Sequence, residues 1–334
     1  MGGIWVLTGH KTGDNAQVLR AAEAMGLPFE VKRLLPRAGE ETAKPKVEPS
    51  LHMVDPARSD TLAAPWPDLV VAIGRSLSLA ALWIRQQSGG RTRLALFNAP
   101  KGHREAFDLI VVPAYYTIAD GPKVCRIGLP LIAADPARLA AAKEAFAPSF
   151  AALKRPLHVL LLGGDMGQRK LDPDFALATL RTMQRGFAKD GMIYVSTSRR
   201  TPPAAADAIA AALRPQDRLY RWSPDGAANP YLGLLAHGDS FTVTADSLSM
   251  LTEVARLGRP LAIAEPPERL SWLGRLGRLA GATAARDLGE AAGFLIRGGH
   301  AVKLGMGDPV AGPLPADDTE RVALRLRALA TGSD

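Results

Sequence analysis

The chain has 334 residues, 47% of them apolar and 22% charged, with a single cysteine and a net charge of +8. This length favours two domains with separate cores, and the composition excludes a disordered or fibrous chain. The lone Cys125 excludes an internal disulfide framework and a thiolate metal cage and points to a reducing compartment, while no apolar run nears the roughly 18 residues needed to cross a bilayer.

In chain order, short runs rich in Val, Ile and Leu predict strands at Ile4–Thr8, Phe29–Leu34, Asp68–Ile73, Arg93–Asn98, Asp108–Pro113 and Lys123–Ile127. Near-continuous apolar runs are what strands buried on both faces look like, so the sheets should be mostly parallel. Helices are expected over Asp14–Met25 and Ser76–Gln87, with a long loop from Pro36 to Pro67. An Ala-rich helix from Pro136 to about Leu153 leads into a second opening, Leu157–Leu162 followed by Gly163-Gly164-Asp165, which repeats the logic of Ile4–Thr8 followed by Gly9. Two Rossmann-like halves are implied, divided near residue 150. The second half carries predicted strands at Met192–Ser196, Arg218–Trp222, Ser240–Thr244 and Pro260–Ala264. Its helices are expected at Pro173–Ala188, Pro202–Leu213, Pro230–His237, Ser247–Leu257 and Glu268–Leu279, and 317–334 forms a separate closing helix and tail.

Charge is uneven. Residues 1–155 hold 20 Lys and Arg against 14 Asp and Glu, or +6, whereas residues 156–334 hold 21 against 19, or +2. Aromatic residues are only 6%, and without zinc-finger spacing or an aromatic RNA-binding run no nucleic-acid partner is expected. Phosphate-bearing small molecules or an anionic membrane face account for the charge equally well. The N-terminus lacks a basic, then apolar, leader pattern, so the expected location is cytoplasmic.

Several signatures are missing. Gly9-His10-Lys11-Thr12 lacks the upstream glycine that a P-loop requires, and no GxGxxG follows the first strand. The six histidines have no metal-ligand spacing, and Asp172-Pro173-Asp174 reads as a helix N-cap. Neither a metal nor a cofactor is expected.

Ligands of open α/β sheets bind at the carboxyl ends of the strands, and four polar segments fall there. Gly163, Gly164 and Asp165 offer close backbone approach, because glycine has no Cβ to block it. Ser196, Ser198, Arg199 and Arg200 precede Pro202, expected at the first helical position, and combine hydroxyl and guanidinium groups in a candidate anion site; the bland alternative is a solvated, well-capped helix. Asn229 and Tyr231 flank Pro230 at a helix start that capping alone explains. Asp246, Ser247, Ser249 and Met250 open another helix, on which Glu253 shares a face with Ser249 and Met250. Ser247 or Ser249 suits a diphosphate and Glu253 suits ribose hydroxyls, against the alternative of ordinary capping with a surface glutamate.

Together, Ser198-Arg199-Arg200-Thr201-Pro202, Asn229-Pro230-Tyr231, Thr244 through Met250 with Glu253, and Gly258-Arg259-Pro260 closely resemble the mitochondrial fission ELM family. The resemblance extends to Gly163-Gly164-Asp165 and to Leu7-Thr8-Gly9 through Gly13-Asp14-Asn15-Ala16-Gln17, and so covers most of the chain. Ser247–Pro260 is also similar in layout to the donor-site helix of the GT-B transferase that makes peptidoglycan lipid II. One departure is Ala114-Tyr115-Tyr116, where the family often has a His-Asp pair.

The resemblance implies an α/β, GT-B-like fold of two Rossmann-like domains facing across a cleft, and a metal-independent glycosyltransferase. The second domain would take the nucleotide-sugar donor and the first a lipid or glycan acceptor of the cell envelope. Candidate general bases are His10, since an imidazole ordinarily titrates near neutral pH, and Asp14, for which helix capping is the alternative. Arg75, Ser76 and Lys101 are candidates for an anionic acceptor. Two other readings stand beside this one: a non-enzymatic interaction protein that keeps the fold, and a nucleotide-sugar epimerase. Peripheral attachment to an anionic membrane is expected from the +6 of the first half. The Leu-, Trp- and Arg-containing segment Arg269–Leu279 has the content of an interfacial helix, but its leucines, recurring every three residues, are read first as core, and the membrane expectation rests on charge alone.

Overall fold

A computed structural model describes residues 3–39, 48–132, 135–165, 170–224, 229–266 and 288–333. The chain divides into two units, Met1–Ile132 with Ala316–Asp334, and Ala133–Pro315.

The first unit is built on a six-stranded parallel sheet of order β2-β1-β3-β4-β5-β6, formed by β1 (Ile4–Thr8), β2 (Glu30–Arg33), β3 (Leu69–Ile73), β4 (Arg93–Phe97), β5 (Leu109–Pro113) and β6 (Val124–Ile127). Every residue of β1, β3 and β5 is buried, which is why these strands are unbroken apolar runs: helices cover both faces of such a sheet. The edge strand β2 is largely exposed and correspondingly polar. Helices α1 (Thr12–Ala24) and α2 (Gly74–Gln87) contribute Val18, Ala21, Leu79 and Ile84 to the core.

The second unit repeats the plan with a sheet of order β12-β11-β10-β7-β8-β9, formed by β7 (Leu157–Leu162), β8 (Met192–Thr197), β9 (Arg218–Tyr220), β10 (Ser240–Thr244), β11 (Leu261–Ala264) and β12 (Val302–Lys303). All its neighbours are parallel. From β7 the chain steps outward to β8 and β9, then returns to the other side as β10, β11 and β12. This is the doubly wound Rossmann order, and it places a reversal of direction between β7 and β10. The helices are α3 (Pro136–Ala151), α4 (Pro173–Arg185), α5 (Pro203–Ala212), α6 (Tyr231–His237), α7 (Leu248–Ala255) and α8 (Leu288–Arg297). Asp172 caps α4 by accepting the Phe175 amide at 2.8 Å, with Pro173 in the first turn.

Two parts of the chain join units other than those expected from sequence. Helix α3 belongs to the second unit, not the first: Phe150 stacks on Tyr194 of β8 and on His237 of α6. The closing helix α9 (Thr319–Thr331) is not separate but returns to the first unit, where Val322 and Leu326 are fully buried in its core. Its arginines also satisfy carbonyl groups of edge strand β6, Arg321 at Arg126 (2.6 Å) and Arg325 at Val124 (3.2 Å). Leu288–Arg297 and the two-residue β12 are additional to the predicted elements. The helix expected at Glu268–Leu279, and with it Arg269–Leu279, lies outside the described residues.

Candidate functional site

At the carboxyl ends of β7, β8 and β10, three loops are tied into one network. The Gly163 amide donates to Thr244 Oγ1 at 2.8 Å and the Gly164 amide to Asp246 Oδ2 at 2.7 Å. Asp246 has no exposed side-chain surface, and its Oδ2 also pairs with the Arg200 guanidinium at 3.0 Å. Burial pushes the Asp246 carboxyl above the usual range, opposed by its bonds to Thr244 and Gly164 and by the Arg200 charge.

The glycines here answer to this network. A Cβ on Gly163 would stand 2.1 Å from Asp246 Oδ2, and one on Gly164 would stand 2.2 Å from the Arg200 carbonyl oxygen. Both contacts lie inside any tolerable separation, so the two glycines are required by internal packing, whatever ligand approaches the loop. The hydroxyls are similarly engaged. Ser198 Oγ donates to the Gly163 carbonyl at 2.7 Å, and Thr201 Oγ1 lies 2.5 Å from the same oxygen. Ser196 is buried in β8. What was expected as a hydroxyl-rich anion loop is in large part the stitching that joins the ends of β7 and β8.

Cations remain at its surface. Arg199 is exposed, with no ion pair found among the described residues, and the Arg200 side chain keeps 39% of its surface exposed beside Asp246. The helix that follows starts at Pro203, one residue later than expected, with Pro202 as its cap. Asp165 turns to Lys170 (2.7 Å) and to the Leu171 amide (2.9 Å), and the lysine hydrogen bond holds its carboxyl below the usual range. Met166 and Gly167 of the same loop lie outside the described residues.

Helix α7 begins directly after Asp246. Its cap, Ser247, is buried and makes no side-chain capping bond, and the Leu251 amide is the first to find an acceptor within the helix, at the Ser247 carbonyl. The amides of Leu248, Ser249 and Met250 therefore precede the intrahelical ladder, and the dipole adds partial positive charge there. Ser249 and Met250 are half-buried in this first turn. Glu253 follows one turn on, also half-buried, and accepts the Tyr231 hydroxyl at Oε2, 2.5 Å away. Burial raises the Glu253 carboxyl above its ordinary value, opposed by that hydrogen bond and by the charge of Arg138 on α3. Burial, then the Glu253 charge, pushes the Tyr231 phenol well up. Asn229 is exposed and its Oδ1 accepts the Tyr231 amide at 3.0 Å, but it stands one residue before the cap: α6 starts at Tyr231 with Pro230 in the cap position, not Asn229 as cap with Pro230 at the first helical position.

The remaining candidates cluster in the first unit, at the ends of the adjacent strands β1, β3 and β4. Asn15 clamps Gly9 from both sides, accepting its amide and donating to its carbonyl, each at 2.8 Å, which fixes the loop that carries exposed His10. Because α1 starts at Thr12, Asp14 lies within its first turn and does not cap a helix beginning at Asn15. Its carboxylate reaches toward the β3–α2 turn, 3.9 Å from where a Cβ on Gly74 would stand. Arg75, half-buried, and Ser76, exposed, follow that turn, and Lys101 is exposed beyond β4. The chain direction again reverses here, between β1 and β3. Among the described residues no group of three or more His, Cys, Asp or Glu side chains is arranged to hold a metal ion, and no helix is long and apolar enough to cross a membrane.

Sequence reasoning singled out Asp246, Tyr231 and Glu253 but gave no individual role to Thr244 and Arg138, which act on Asp246 and Glu253. Thr201 and Asn15, named there only within longer motifs, take their roles from other partners, the Gly163 carbonyl and Gly9.

Two Rossmann-like units with polar strand ends at each reversal define a GT-B-like protein, and solved structures agree on that fold. A complex of S. aureus MnaA with UDP superposes with a TM-score of 0.56 at 11% identity, covering 100% of this chain and 98% of that one. The Methanocaldococcus jannaschii UDP-GlcNAc 2-epimerase in complex with UDP-GlcNAc and UDP gives 0.54 at 12% identity, covering 97% and 99%. The model of the mitochondrial fission ELM1 family matches residues 12–329, and the chain belongs to that family. It is 27% identical to mitochondrial fission protein ELM1 of Arabidopsis thaliana over 219 residues, 59% of this chain, and so spans about half (51%) of that relative's length. It is 23% identical to the uncharacterized protein RP120 of Rickettsia prowazekii (strain Madrid E) over 305 residues, 79% of this chain and 83% of that one.

Proposed function

We propose that this protein is a glycosyltransferase that takes a nucleoside diphosphate sugar at the β7–β10 reversal of its second unit and delivers the sugar to a cell-envelope lipid or glycan held by the first. The observation that carries the reading is the uncapped start of α7, with the Arg200 guanidinium at the preceding residue Asp246 and the Glu253 carboxylate one turn further on. As the sugar leaves, negative charge grows on the diphosphate. Helix amides and guanidinium groups fixed in advance stabilise that charge without reorganising. Arg199 supplies charge, whereas Arg200, already answered by Asp246, mainly orients. Glu253 stands six residues beyond Ser247, about 9 Å along the axis, a separation that suits ribose hydroxyls while the diphosphate meets the helix start. In the first unit, His10 or Asp14 takes the proton of the acceptor hydroxyl, and Arg75, Ser76 and Lys101 receive an anionic acceptor.

Calorimetric titration with UDP, GDP, ADP and CMP compounds tests the donor site. Glu253→Ala should weaken the best ligand by about 1 to 3 kcal/mol, the cost of losing charged hydrogen bonds; unchanged affinity in a folded variant removes Glu253 from the site. The likeness to the M. jannaschii enzyme favours one second reading, nucleotide-sugar epimerisation. Turnover of UDP-GlcNAc to its C2 epimer with no acceptor present would decide for it, and failure to bind any nucleotide would leave a protein that recruits partners. The +6 of residues 1–155 supports peripheral attachment to an anionic membrane, where each basic residue near the surface contributes about 1 kcal/mol. Equal sedimentation with neutral and anionic vesicles, or with neither at low salt, would exclude that attachment.

A further inference from the structure

Tyr231 enters the site as a candidate donor contact, yet its hydroxyl is already engaged. It donates to Glu253 Oε2 at 2.5 Å across the start of α6 and the middle of α7, 22 positions apart in sequence. Its backbone is fixed as well, since its amide is held by Asn229. The other Glu253 oxygen, Oε1, makes no hydrogen bond among the described residues.

We propose that Tyr231 is a positioning residue: it fixes one oxygen of Glu253 so that the carboxylate presents the other to the ribose hydroxyls of the donor, and thereby sets a preference for ribonucleoside over deoxyribonucleoside diphosphates. This rests on the nucleotide-sugar reading of α7. A glutamate has several rotors, and ordering it at the moment of binding costs affinity that a preformed hydrogen bond has already met. Phenol is suited to the task because it is rigid and donates one proton along a defined direction. The same bond favours the ionised form of the acceptor, in opposition to burial. The charged and titratable groups acting on the Glu253 carboxylate are Tyr231 of α6 and Arg138 of α3, and both oppose the upward push of burial.

The test uses the full chain with UDP and 2′,3′-dideoxy-UDP as probes, titrated calorimetrically between pH 5 and 8. Wild type should prefer UDP by about tenfold or more, the scale of a hydrogen bond to a charged group. Tyr231→Phe, which keeps the ring, should lose most of that preference while binding the dideoxy probe as wild type does. Its UDP affinity should also begin to fall at a higher pH than that of wild type, because the carboxylate without its donor protonates more readily. Glu253→Asp, which draws the carboxylate back from the hydroxyl, should lose the preference too, and adding Tyr231→Phe to Glu253→Gln should cost nothing further. Wild-type preference and an unshifted pH profile in Tyr231→Phe would overturn the proposal, as would equal weakening toward both probes, the mark of a merely structural role. If wild type binds UDP but the variants fail in this way, only the positioning role falls; if wild type binds none of UDP, GDP, ADP or CMP compounds, the nucleotide reading falls and this inference with it.

Discussion

Substituting Gly163 by alanine separates two explanations for a glycine at the end of a strand. If the glycine serves only ligand approach, the unliganded protein tolerates the added methyl group; if it serves packing, it does not. The added Cβ would lie 2.1 Å from Asp246 Oδ2, 2.5 Å from Oδ1 and 2.6 Å from Cγ, and all three atoms belong to a side chain with no exposed surface. Overpacking of this kind costs about 1 to 3 kcal/mol. Moving Asp246 aside also forfeits its bond to the Gly164 amide, a hydrogen bond to a charged group valued at about 1.5 to 3 kcal/mol. A loss of about 3 kcal/mol is therefore expected, which at a slope of about 2 kcal/mol per molar urea lowers the unfolding midpoint by about 1.5 M. Gly9 is the internal control: it occupies the equivalent place after β1, but a Cβ there would meet nothing nearer than 3.6 Å, so Gly9→Ala should shift stability by less than about 1 kcal/mol. Hydrogen exchange read at the amides of β7 and β10 localises the effect to the second unit. Equal midpoints for wild type, Gly163→Ala and Gly9→Ala would refute the packing argument.

Other outcomes follow from the same network and from the two cores. Arg200→Ala should cost stability as well as diphosphate affinity, because it leaves Asp246 buried without its ion-pair partner, whereas Arg199→Ala should lower only the affinity for nucleoside diphosphate relative to nucleoside; matching stability losses would contradict the distinction. His158 is buried, pairs through Nδ1 with Ser240 Oγ at 2.6 Å, and is held by burial below the ordinary imidazole value. The unfolded chain then binds the extra proton first, so this contribution is complete above about pH 6.5 and is lost as pH falls through that value toward the folded one; in His158→Gln the fall in unfolding midpoint between pH 7 and 5 should flatten. Leu326→Ala in α9 should cost about 2 to 5 kcal/mol and raise exchange in the first unit's sheet, since Leu326 is fully buried there; an effect confined to the last helix would show that α9 is an appendage.

The sequence alone located every strand except the two-residue β12, most plainly the interior ones, because a parallel strand buried on both faces must be apolar at nearly every position, as in Ile4–Thr8 and Leu157–Leu162. It also located the polar strand ends, since a change from an apolar run to Gly, Ser, Arg and Asp is visible without coordinates. What it left open was partnership. The assignment of α3 to the second unit depends on Phe150 meeting Tyr194 and His237, and the return of α9 to the first on Leu326 finding a core built far upstream in the chain. A pattern of side chains records that a face must be buried, never against which other face. The same limit governs the site. Gly163, Ser198 and Thr201 are indistinguishable in sequence from an anion-binding loop, and Glu253 from a surface carboxylate, until tertiary packing brings Asp246 under Gly163 and the Tyr231 hydroxyl to Glu253. Residue type fixes what a group is able to donate or accept; only the folded chain decides which of those capacities are used internally and which are left for a ligand.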